Sequence, residues 1–409
     1  MKRKLIQQMR NEWRSNLWMT VELVIVGVVI WGVFTVFASI AHLHQPPVGV
    51  DFNDIYFGNV GVVSKNASTY KEYPDTVHSI YTDLETLIAN LRTNPYVENV
   101  GTGNNAIPYN FNYNGMSLNT YVADTVQAYI GNQRMMDADM VRTLRLTGFN
   151  GETSEQLAEM VSEGKWLIST YDRSYYVNDP AKWVGKEAWI GRDTTDVVQI
   201  GVLINGIRRA DYEPVFNGTL VMSYPWRVWF PNELAVRVKP GKGREFLASV
   251  QADDLEFGNV YVSNLQSIEN RKTIAHRDVI TLVRNLSACA AFVLIAVFLG
   301  FLGSFWYRTQ QRIPELALRK VNGATDTDLF RRSISEGLIL LCVATPFIVG
   351  IAALLSDLPD DLGLTLPAWL MWSMIPVTLV LLALMICGGI WLPARKAMKI
   401  NPAAALKDQ

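Results

Sequence analysis

Residues 312–330 read RIPELALRKVNGATDTDLF and lie between two of the most apolar stretches of the chain. Proline suits the first turn of a helix, because its φ is already set and its missing N–H would be unpaired there anyway. ELALRKVN supplies good helix formers. Gly323 is the residue that most cheaply ends a helix in the left-handed conformation. Thr325 and Asp328 then have the spacing of a capping pair that opens the next helix. The stretch therefore predicts a short helix, bracketed at both ends, between two membrane crossings. Leu316 and Val321 are apolar on an otherwise polar element, which suits docking into a groove on a partner. Which side of the bilayer this helix faces decides how the rest of the chain is laid out.

The chain has 409 residues, 49% hydrophobic and 18% charged. That is apolar for a soluble protein and polar for one wholly in the membrane, so a mixture is expected. Four apolar runs reach the roughly 20 residues a crossing needs: 20–42, 284–307, 334–356 and 369–393. Trp31, Trp306, Trp369, Trp372 and Trp391 lie at or near their ends, where amphipathic rings favour the interface. The flanks carry the orientation. Lys2, Arg3, Lys4, Arg10 and Arg14 precede the first run, Arg308, Arg312, Arg319, Lys320, Arg331 and Arg332 fall in the 308–333 loop, and Arg395, Lys396, Lys399 and Lys407 occupy the 394–409 tail. All three flanks are expected in the cytoplasm. The 357–368 loop has three aspartates and no Lys or Arg, so it and residues 43–283 belong outside. Leu5, Met9, Trp13 and Leu17 recur every fourth residue, which predicts an amphipathic interfacial helix over 1–19. A cleaved leader ending near Ser39 and Ala41 is disfavoured because the apolar run is too long.

The 43–283 segment reads as one or two packed α/β lobes. TVHSIYTDLETLIANLRT (76–93) has helical apolar spacing and stops at Asn94-Pro95, and TSEQLAEMVSEG opens a second helix at a threonine. KWLIST, VVQIGVLIN and ELAVRVKPG read as strands. Signals for chemistry are poor. His42 and His44 lack nearby co-ligands, and the Asp137/Asp139 and Asp253/Asp254 pairs read as solvated faces. The cysteines, Cys289, Cys342 and Cys387, all fall in apolar runs, which excludes a disulfide framework in the polar middle. A net charge of −1 gives no nucleic-acid footprint. No G-x-x-x-x-G-K-[ST] occurs, so ATP hydrolysis, if the protein depends on it, is expected from another chain.

The order of one crossing, a large outer domain and three crossings resembles the MacB/FtsX-type ABC transporter permeases. So does the 312–341 stretch, through Arg312, Glu315, Arg319, Lys320, Gly323, Ala324, Thr325 and Glu336. The ending PARKAMKINPAAALK adds Pro393, Ala394, Arg395, Pro402 and Leu406, and WVGKEAWIG followed by VVQIGVLIN is a looser match in the outer domain. Ile313-Pro314 departs from the family's polar residues yet fits the same helix. The resemblance implies an α-helical membrane protein with four transmembrane helices and an α/β (α+β) extracytoplasmic domain of the MacB-like periplasmic core type. It implies a stand-alone permease subunit in the inner membrane, without catalytic residues, metal or a cofactor of its own, ATP being bound by a partner. The implied partners are a cytoplasmic P-loop ATPase dimer, a second permease copy or paralogue and, in efflux systems, a periplasmic adaptor and outer-membrane channel. The expected coupling residues are Arg312, Glu315, Leu316, Arg319, Lys320, Gly323 and Ala324. Within the membrane, Glu22 and Glu336 are candidates for helix-to-helix force transfer or for plain interfacial pairing, and Ala296 with Gly300 forms a small-x-x-x-small step. The alternative is a membrane-anchored sensor with a periplasmic ligand-binding domain, which would need a cytoplasmic output domain that the short tail after Leu392 does not offer.

Overall fold

The computed structural model describes residues 13–44, 48–73, 78–110, 114–169, 179–191, 194, 197–212, 218–223, 229–311, 318, 321, 323–356 and 368–398. They form two units, one of residues 1–42 with 279–409 and the other Leu43–Asp278. In chain order the elements are α1 (Trp13–His44), β1 (Ile55–Val62), α2 (Ile80–Thr93), β2 (Val97–Asn104), β3 (Gly115–Val122), β4 (Thr125–Met136), α3 (Ala138–Leu144), α4 (Ser154–Ser162), β5 (Trp166–Ser169), β6 (Glu187–Ile190), β7 (Val197–Ile204), β8 (Gly218–Ser223), β9 (Glu233–Val238), α5 (Gly243–Ser249), β10 (Glu256–Phe257), β11 (Val260–Ser267), α6 (Ile268–Gln311), α7 (Asp326–Ser356) and α8 (Ala368–Met398).

The soluble unit has two parts that share one continuous sheet. In the first, antiparallel strands run in the order β10-β11-β1-β9-β2. Leu84, Leu87, Ile88 and Leu91 of α2 pack with Val100, Val236 and Phe246, which is the apolar stripe the spacing predicts. Ser79 is the helix N-cap, and Val77 lies outside the described residues. In the second part β4, β3, β6, β7, β5 and β8 pair in turn, and β8 pairs back onto β4 in parallel. The six strands therefore close into a ring, which leaves no open edge. Trp183, Tyr129, Leu118, Ile168 and Leu220 fill it. The strands expected from KWLIST, VVQIGVLIN and ELAVRVKPG are β5, β7 and β9, and Thr153 with Gln156 forms the capping box of α4.

The aspartate pair at 137 and 139 requires a correction, because it is not a solvated face. Asp137 caps α3, accepting from Met140 N at 2.5 Å, Thr102 N at 3.0 Å and Thr102 Oγ1 at 2.6 Å. Asp139 bridges Arg92 and Arg142. The carboxylates look exposed in sequence because two of their donors, Thr102 of β2 and Arg92 of α2, lie 35 and 47 residues earlier.

In the membrane unit, α1, α7 and α8 share a core of Leu23, Val26, Ile30, Leu340, Ala344, Ile348, Leu382 and Ile386. Among the described residues, four helices are long and apolar enough to cross a membrane. All four elements begin earlier than the apolar runs, α8 by a single residue. The clearest case is α6, which starts at Ile268, because the polar residues ahead of the run contain neither Gly nor Pro to stop a helix.

Candidate functional site

The soluble unit holds two helix ends, the C-terminus of α1 and the N-terminus of α6, in one polar cluster. Its centre is Asp211, in the segment after β7. Tyr109 Oη donates to Asp211 Oδ2 at 2.8 Å. From α6, Lys272 Nζ lies 3.4 Å and His276 Nε2 2.8 Å from the same oxygen. Burial alone would raise the Asp211 carboxyl, but the Tyr109 hydroxyl, Lys272 and His276 outweigh it and hold the group below its ordinary value. Ile268 is buried in the main core and Ala275 packs against it. Arg271 lays its guanidinium 4.3 Å over the Phe57 ring and donates Nε–H to Tyr109 O at 3.0 Å. The first turns of α6 are therefore fixed by two apolar contacts, Ile268 and Ala275, and by three charged or polar side chains, Arg271, Lys272 and His276.

At the other helix end, Arg208 donates through Nη2 to Leu43 O at 2.6 Å and to Asp211 O at 2.7 Å. His44 stacks on Tyr212 at 5.0 Å. Tyr212 in turn meets His276 edge-on at 4.8 Å. Two segments build this cluster, and both are held by buried charge. Arg134 of β4 donates to the carbonyls of Asn105, Ala106, Ile207 and Arg208. Burial lowers its pKa to about 10, with Glu233 partly restoring it, so it stays charged near neutrality. Glu233 accepts from Ala106 N, Ile107 N and the Asn110 amide. A motif search finds none of these residues, because each is single and far from the others in sequence. The nearest available signal was Lys272 and His276, four apart on the helix preceding the second apolar run.

This cluster gives a pH dependence. Burial lowers the His276 pKa most, Asp211 opposes that, and Lys272 and His44 add to the lowering. The unfolded histidine takes a proton as the pH falls through 6.5, whereas the folded one resists it. Stability from this group is thus complete above 6.5 and declines as the pH drops below it. The melting temperature should fall between about pH 7.5 and about pH 5.5, and less in His276→Gln. An equal fall in both proteins, measured by scanning fluorimetry, would remove His276 as the cause.

In the membrane unit the coupling candidates Arg312, Glu315, Leu316, Arg319 and Lys320 lie outside the described residues. Gly323 has φ +91°, the left-handed conformation that glycine adopts most cheaply, and Ala324 is half-buried. Thr325 and Asp328 cap each other: Asp328 N donates to Thr325 Oγ1 at 3.2 Å and Thr325 Oγ1 to Asp328 Oδ2 at 2.6 Å. Glu336 sits 3.6 Å from Arg332, one turn earlier on α7. Glu22 Oε1 would lie 3.3 Å from a Cβ added at Gly300, so α1 and α6 approach closely there. Ala296 is exposed within the unit. Among the described residues, no group of three or more His, Cys, Asp or Glu is placed to hold a metal ion.

No curated protein matches the chain in sequence. Among solved structures, the extracellular domain of the noncanonic ABC-type transporter YknZ from Gram-positive bacteria is similar over 51% of this chain and 100% of that chain, at 10% identity and a TM-score of 0.29. The family model for the FtsX-like permease C-terminal region matches residues 287–402. That span takes in most of α6, the 312–325 stretch and all of α7 and α8, so the likeness to FtsX-like permeases lies in the membrane unit.

Proposed function

We propose that the chain is the membrane subunit of a MacB/FtsX-type ABC transporter in the inner membrane, coupling ATP hydrolysis by a separate cytoplasmic ATPase to motion of an extracytoplasmic domain, for efflux or for mechanical signalling. The observation that carries this reading is α6. It is one unbroken helix of 44 residues that begins among Ile268, Arg271, Lys272 and His276 in the soluble unit and continues into the matched permease region. A helix resists bending and stretching far better than a loop does, so displacement at its far end reaches the Asp211 cluster. The Asp211, Arg208 and Tyr212 contacts give the end of α1 the same foothold, which fits two helices driving one domain.

The basic stretch at 312–323 is then the contact for the ATPase, with Leu316 entering an apolar groove and Glu315, Arg319 and Lys320 around it. The ATPase forms a dimer beneath two permease copies. Leu316→Asp places an unpaired charge in that groove, which is strongly unfavourable. Co-purification of the ATPase should fall at least about tenfold, equivalent to about 1.4 kcal/mol, while membrane insertion persists. Arg308→Gln, nearer the membrane, should leave binding intact. Unchanged co-purification and unchanged ATP turnover in the Leu316→Asp complex would sink the assignment.

A further inference from the structure

A second feature of the soluble unit does not depend on the coupling scheme. Where β2 leaves β4, at the junction between the open sheet and the closed ring, a cavity of about 170 Å³ is lined by Asn105, Asn114, Gln133, Asn232, Met135 and Trp229, with Asn104 behind them. Among the described residues, no charged side chain lines it. Among the described residues, the side-chain amides of Asn114, Gln133 and Asn232 make no hydrogen bond, so each brings a donor and an acceptor to one space. Trp229 is 56% exposed, an unusual position for so large an apolar ring.

The walls are held in place. Asn104 accepts from Asn232 N at 2.7 Å and donates to Phe230 O at 3.3 Å, which straps the Trp229–Asn232 segment to the end of β2. Asn105, in the left-handed conformation at φ 53°, donates to Gln133 O at 2.7 Å. Gln133 N donates to Asn114 O at 2.8 Å. These bonds use backbone groups and the two inner asparagines, leaving the three outer amides available. A site whose walls are fixed beforehand loses little entropy on binding.

We infer that this cavity binds a neutral saccharide. Hydroxyl groups donate and accept at once, as primary amides do, and the C–H face of a pyranose matches the flat apolar face of an indole. Carboxylate and phosphate ligands are disfavoured because the described lining offers them no cation. A peptide added as an extra strand is disfavoured because β4 is already paired by β2, β3 and β8.

The test uses the full chain in a sugar-free zwitterionic detergent, since alkyl glycosides would occupy the site. Chitotetraose, cellotetraose and maltotetraose are titrated by calorimetry and saturation-transfer NMR, with a neutral tetrapeptide alongside. At least one sugar should bind saturably. Trp229→Ala should weaken it at least about tenfold and Asn232→Ala about threefold or more. Asn232→Ala removes only an exposed, unpaired amide, so its loss of binding is not a folding defect. Tyr121→Ala, an exposed aromatic on β3, should bind as the parent does. Absence of saturable binding by all three sugars, binding of the tetrapeptide alone, or undiminished binding in both Trp229→Ala and Asn232→Ala would each overturn the inference.

Discussion

Replacing Arg237 with methionine is expected to cost the soluble unit about 3–5 kcal/mol, the range for removing one partner from a buried charged network. Its side chain is 2% exposed near the end of β9. Nε donates to Thr143 O at 2.7 Å, Nη1 to Asn53 O at 2.9 Å and Nη2 to Asp51 O at 2.8 Å. Nη1 also lies 3.3 Å from the Asp51 carboxylate. Methionine fills the space and donates nothing, so these acceptors lose their partner where water does not replace it. Arg145→Met is the control. It removes a 3.2 Å contact to the same carboxylate from a side chain 44% exposed, and should cost less than about 1 kcal/mol. Residues 43–278 have cores of their own and are expected to fold when expressed alone. Urea unfolding of that fragment therefore measures both variants, and equal losses would contradict the network's importance.

A comparable loss, at least about 3 kcal/mol and at the upper end of overpacking, is expected for Gly101→Ala. A Cβ there would lie 2.3 Å from Met140 N and Cα and 2.6 Å from Asp139 C. The obstruction is backbone rather than a movable side chain, so α3 would have to leave β2. Asp137, which caps α3 while bonding Thr102, opposes that shift. By contrast, a Cβ at Gly201 would meet only side chains, at 3.3 Å or more, and Gly201→Ala should stay within about 1 kcal/mol of the parent. If the two variants unfold at the same urea concentration, close strand–helix packing is not what requires glycine at 101.

Parts of the soluble unit resist sequence reading for specific reasons. The hairpin joining β3 and β4 turns on Ala123 and Asp124, with φ 48° and 61°. Turns of that kind usually announce themselves with Asn-Gly or Asp-Gly, and alanine gives no such signal. Strand β9 hides its central position behind Glu233 and Arg237, whose charges suggest a half-exposed strand although every residue in it is buried. The Asp211 cluster joins positions 43, 109, 208, 211, 272 and 276, which no local spacing connects.

What the sequence determined by itself is whatever depends on runs and periods. Four apolar lengths matched the thickness of a bilayer, and those lengths reappear as α1, α6, α7 and α8. The Thr325–Asp328 pair, the left-handed Gly323 and the stripe of α2 also follow from local spacing, because a cap, a helix-ending glycine and a helical period are each set within a few residues of one another. The tertiary structure alone decided which strands close the ring, where the charges of Arg134, Glu233 and Arg237 are neutralised, and that α6 starts inside the soluble unit rather than at its boundary. Those outcomes depend on groups tens to hundreds of residues apart. Their bonds form only once burial has removed water as the competing partner, so residue order along the chain carries little trace of them.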